Sequence, residues 1–183
     1  AGLIDEVYQL TDRKQYGAAL EKLNEFLKTN PDDAQARFLK GLVLTERGQQ
    51  DKAIDIFRDL SRDYPDLPEP YNNLAVLYAE KGQYEKARTA LQKAIKTHPT
   101  YATAHENMGD IYSKMASRAY RKALSLSGSN EAIKVKLGHI KKVFISNAPL
   151  PQEIKSNKKP VAAPVVEKKK PQTFLPKTSD LKE

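Results

Sequence analysis

Residues 68–99 read PEPYNNLAVLYAEKGQYEKARTALQKAIKTHP, and this stretch decides the fold. Tyr71, Leu74, Ala75 and Tyr78 recur at helical spacing along one face, and Ala87, Leu91, Ala94 and Ile95 along another. Gly82 stands between the two runs, where the chain must reverse. The same pattern returns on both sides. Pro31, Pro65 and Pro99 are spaced by 34 residues, and that register aligns Gly48 with Gly82 and Tyr16 with Tyr84. It also aligns Ala19, Ala53 and Ala87, and places Gly41, Ala75 and Gly109 in one column. Self-similarity at this length marks stacked helix pairs, none of which can bury its apolar face alone. Strand-like alternation persists nowhere.

These residues resemble the tetratricopeptide repeat (TPR). Small residues at the close helix contacts, large ones in the gaps and Pro after the second helix are matched well by Asp33–Pro65 and Asp66–Pro99. Leu3–Pro31 matches less well, because Val7 stands where a small residue belongs. The resemblance covers roughly residues 2–128. It implies an all-α, right-handed superhelical stack of helix hairpins, with repeats at about 1–33, 34–67, 68–101 and 102–128. Ala19, Ala53 and Ala87 would let two helix backbones approach, where a larger side chain would force them apart.

The fourth unit departs from the pattern. Its small–large–small triad should fall at residues 121, 125 and 128, but appears five residues early as Ala116, Tyr120 and Ala123. The missing five are those of the turn. Two readings follow: one continuous helix from about Tyr101 to Leu126, which we favour, or a shortened, tight turn at Ser113-Lys114. A continuous helix leaves an apolar face, so a homodimer or helix swap through this unit is expected. Ser129-Asn130 then signals a helix start. Ile133, Leu137, Ile140 and Phe144 follow at helical spacing, so residues 129–146 read as a helix capping the stack.

Charge divides the chain. Residues 1–110 carry 15 basic and 18 acidic side chains, whereas residues 111–183 carry 16 and 5. The total of +8 therefore describes the last helices and tail, not the repeats. Residues 147–183 hold six of the eleven Pro, no Gly and one aromatic, and read as a disordered, semi-extended linker. Lys158-Lys159 and Lys168-Lys169-Lys170 raise the alternative of a nucleic-acid or anionic-surface binder. Without interleaved aromatics to stack on bases, that reading is the weaker one.

Enzymatic chemistry finds no constellation. Lack of Cys excludes a disulfide framework, a thiolate zinc site and a cysteine nucleophile. His98, His105 and His139 lack ligand spacing, and the glycines follow the repeat rather than a phosphate loop. We therefore expect no catalytic residues, metal or cofactor, and no apolar run is long enough to span a membrane.

The family resemblance supplies a site. First helices of TPR repeats line a concave surface, which by column holds Tyr8, Phe38, Leu42, Asn72, Asn73, Val76, Glu106, Asn107 and Asp110. Asn73 and Asn107 share a column, and their carboxamides could donate to and accept from an extended peptide. The columns of the family's carboxylate clamp carry no cations here. Glu106 and Asp110 favour neutral or basic partners. The third and fourth units also resemble TPR modules of exported proteobacterial envelope proteins, in which a Pro/Lys-rich linker leads to a C-terminal domain. That likeness implies a scaffold for a protein or peptide partner, at a periplasmic location rather than the alternative cytoplasmic one, or a non-catalytic fragment of a larger envelope enzyme. The Ala1-Gly2-Leu3 start fits a trimmed chain or the mature end of an exported protein.

Overall fold

Eight helices form among the residues that the computed structural model describes, which are 2–128 and 130–145. The expected tail at 147–183 lies outside them, as does the side chain of Phe144. The helices are α1 (Leu3–Asp12), α2 (Tyr16–Thr29), α3 (Ala34–Glu46), α4 (Gln50–Asp63), α5 (Pro68–Glu80), α6 (Tyr84–Thr97), α7 (Ala102–Ser127) and α8 (Glu131–Ile145). Successive helices pack in pairs: α1 on α2, α3 on α4 and α5 on α6. Each pair also packs on the first helix of the next. Local chemistry sets the boundaries. Asp33 caps α3 by accepting the Ala36 N–H at 2.8 Å, and Pro68 opens α5 at a position where no amide donor is needed.

The turns inside the three pairs are copies of one another. In each, a residue in the left-handed region donates its N–H to a carbonyl three back: Lys14 to Thr11, Gly48 to Thr45 and Gly82 to Ala79, at 2.8–2.9 Å. Their φ angles are +58°, +79° and +70°. Glycine adopts this conformation freely, whereas the Cβ of Lys14 strains it.

Packing between paired helices is a matter of complementary sizes. Gly41 lies so close to Phe57 that a Cβ on it would sit 2.7 Å from the ring. By the 34-residue register, Ala75 with Leu91 and Val7 with Leu23 hold the columns of Gly41 and Phe57, and all four are buried. Val7 is larger than Gly41 and Leu23 smaller than Phe57, so the summed volume of the two columns is roughly kept. This explains the weak match of the first unit.

The fourth unit resolves in favour of continuity. α7 runs unbroken for 26 residues, so the shortened turn at Ser113-Lys114 does not form. From Asp110 to Ser127 no Gly or Pro interrupts it, and it ends only at Gly128, with φ +71°. At 1.5 Å per residue it is about 39 Å long, twice the length of α5. Its second half therefore overhangs the stack. α8 starts where Asn130 Oδ1 accepts the Ile133 N–H at 3.2 Å. It packs back on α7, half-burying Ile133, Leu137 and Ile140. The expected cap thus covers the overhanging helix instead of the end of the regular stack, because α7 carries its docking face outward.

Candidate functional site

Contacts between helices of like position join α1 to α3 and α5 to α7, all first helices of their pairs. A stack whose first helices touch bends with those helices on the inside. The nine expected groove residues sit on that layer, but at different depths. Phe38, Leu42, Asn72, Asn73, Val76 and Asn107 are buried, Tyr8 and Asp110 are half-buried, and Glu106 is exposed. Phe38 stands edge-on to Phe57, with centroids 5.5 Å apart. Phe38, Leu42 and Val76 are thus buried and form no open apolar pocket, Phe38 being covered by Phe57 of its own repeat.

The asparagines are joined differently from the column expectation. Asn107 Nδ2 donates to Asn72 Oδ1 at 2.8 Å, linking α7 to α5. Asn73 instead donates to its own helix, at the Glu69 carbonyl 2.9 Å away. The Asn72–Asn107 pair leaves one donor, Asn72 Nδ2, and one acceptor, Asn107 Oδ1, buried without a hydrogen-bond partner. Unmet polar groups of this kind are costly and uncommon. A third is Glu69 Oε2, in the first turn of α5.

The electrostatics of this layer are acidic. Partial burial pushes the Asp110 carboxyl above its usual range, against the pull of Lys114. Behind the layer, Arg37 donates to Asp63 at 2.8 Å and ties α3 to α4. That hydrogen bond holds the Asp63 carboxyl below its ordinary value. His105 is bound through Nε2 to the Pro99 carbonyl at 2.8 Å, which orders the loop before α7.

A family model described as "Tetratricopeptide repeat" matches residues 8–68, another so described matches 57–89, and "TPR repeat" matches 77–115. Together they run through three hairpins and into α7. The chain is a tetratricopeptide-repeat protein. No curated protein matches it. Among solved structures, the crystal structure of MamA superposes with a TM-score of 0.55 at 20% identity, covering 74% of this chain and 82% of that one. TTC0263, a thermophilic TPR protein in Thermus thermophilus, gives 0.56 at 24% identity over 79% and 80%. YrrB, "a TPR protein with an unusual peptide-binding site", gives 0.51 at 31% identity over 56% and 55%.

Two cavities of this TPR protein lie off the inner layer. One, of about 610 Å³, opens between α4, α5 and α6 and is floored by Tyr71, Leu74 and Tyr78. Lys93 and Lys86 stand over the Tyr71 and Tyr78 rings at 5.8 and 5.6 Å. The other, of about 570 Å³, lies between the start of α6 and the middle of α7. Among the described residues, no helix is long and apolar enough to cross a membrane.

Proposed function

We propose that this TPR protein is a non-catalytic scaffold holding an extended, neutral or basic peptide segment of a partner protein along its concave face, in the cell envelope. One observation carries the proposal. The Asn72–Asn107 pair retains one donor and one acceptor, the complement of what a peptide unit offers in extended conformation. Both side chains are buried between α5 and α7, so a strand reaches them only by displacing that contact locally. Glu106 and Asp110 beside them repel acidic sequences and attract basic ones. YrrB, a TPR protein with an unusual peptide-binding site, supports the same reading.

An array of random-sequence nonapeptides, probed with the full chain, tests it. Basic and neutral peptides should be retained and acidic ones rejected. Glu106→Lys with Asp110→Lys should invert that preference. Asn72→Leu with Asn107→Leu removes both buried partners together, so the fold should survive while capture of every peptide falls about tenfold or more, on the order of two lost hydrogen bonds of about 0.5–1.5 kcal/mol each. Retention indifferent to both pairs of substitutions would remove the proposal. The envelope location rests on the family likeness alone. Release of the protein from its host by osmotic shock would support it, and retention with the cytoplasm would not.

A further inference from the structure

In the second repeat Phe57 of the second helix lies on Gly41 of the first, and the same two columns hold Leu91 with Ala75 and Leu23 with Val7, all buried. Gly109 is the fourth member of that column. It is exposed, and a Cβ built on it would meet nothing within 4 Å. Tyr112, one turn further on, is 49% exposed. The first half of α7 therefore offers a vacant helix slot, and the cavity of about 570 Å³ marks its upper end beside Tyr84, Met115 and Ala119. The helix that would fit this slot is present in the same chain. Ala116, Tyr120 and Ala123 repeat the spacing of Ala53, Phe57 and Leu60 and of Ala87, Leu91 and Ala94. With the five turn residues missing, this segment continues α7 and cannot fold back. In regular repeats a second helix such as α4 packs both on its own first helix and on the next one. Here α8 supplies the second contact, with Lys136 5.8 Å from the Tyr120 ring, and the first is unmade.

We propose that two copies of this chain exchange helices, the Ala116–Ser127 segment of each filling the slot beside Gly109 of the other. Connections too short to close a hairpin within one chain favour such exchange. The pairing restores an aromatic ring on glycine, as Phe57 lies on Gly41. It is separate from the peptide-binding reading and can fail without it.

The chain contains no Cys, which makes the test clean. In one continuous helix, residues 109 and 120 are about 16 Å apart along the axis, too far for a disulfide, which needs Cα atoms within about 7 Å. Gly109→Cys with Tyr120→Cys should therefore give covalent dimers on mild oxidation, and neither single variant should. A monomer without a bond, a monomer with an internal bond, or covalent dimers from either single variant would each overturn the proposal. The unaltered full chain should show twice its 20.6 kDa mass by light scattering. Inserting Glu-Lys-Gly-Gln-Tyr, the turn of the third repeat, between Ser113 and Lys114 should return it to a monomer. A monomeric unaltered chain, or an insertion variant that stays dimeric, would also overturn it. Gly109→Leu guards against misfolding as an explanation: its side chain enters open space in the single chain, so helix content should hold while the dimer is lost. A dimer that survives Gly109→Leu counts against the exchange.

Discussion

The second repeat and the fourth unit contain the same kinds of residue in the same columns, yet only one of them closes. Gly41 meets the Phe57 ring so tightly that no Cβ would fit, while Gly109 faces open space with Tyr120 carried away along α7. The difference is not in the apolar pattern, which is intact in both. It lies in five residues of turn. Side-chain complementarity selects which surfaces fit, and the length of the connection decides whether they belong to the same molecule.

The largest expected effect separates the two aromatics. Phe57→Ala empties a fully buried site and should cost about 3–5 kcal/mol in urea denaturation. Tyr120→Ala, half-exposed in the single chain, should cost under about 1.5 kcal/mol when the protein is dilute enough to be monomeric. Equal losses would break the comparison. Next come the glycines. Gly41→Ala should destabilise by about 1–3 kcal/mol through overpacking against Phe57. Gly109→Ala, again in dilute protein, should stabilise by about 0.5–1 kcal/mol, since it only improves helix propensity.

A smaller effect compares turns that do form. Lys14→Gly should gain roughly 0.5–1 kcal/mol by relieving left-handed strain, and Gly82→Lys should lose a similar amount. A null result at both positions would mean the turn conformation carries no strain.

The smallest effect is the response to acid. Asp63 has a lowered folded pKa, so its tie to Arg37 stabilises above its unfolded value of 3.8 and is lost as pH falls through the lower folded value. Asp110 runs the other way. Its folded pKa is raised, so the charged form is disfavoured at neutral pH and protonation on acidification removes that penalty. Asp63→Asn should flatten the loss of stability below about pH 4, whereas Asp110→Asn should raise stability at neutral pH. Thermal melts from acid to neutral pH distinguish them.

Much of this fold is legible in the sequence because repeats make position and role the same thing. The prolines, the glycine turns and the five missing residues before Ala116 are enough to place the regular helix pairs and to favour the unbroken α7. The binding layer is less legible. Column arithmetic pairs Asn73 with Asn107, but the hydrogen bond joins Asn72 to Asn107. Neighbouring first helices are staggered, so residues that share a role are not those that touch. Val7 likewise reads as a misfit until it is read with Leu23 in the column of Phe57, since compensation between two positions leaves no mark at either one alone.

The central claim is that the fourth unit does not close on itself. A spin-label distance across it tests this most directly, with His105→Cys and Arg121→Cys on exposed positions of α7 and labelled chains diluted in unlabelled ones. A continuous helix places these residues about 24 Å apart along its axis. The account predicts that distance, in a narrow distribution. A distance near 10 Å, roughly the separation of two packed helices, would show a closed hairpin and contradict it.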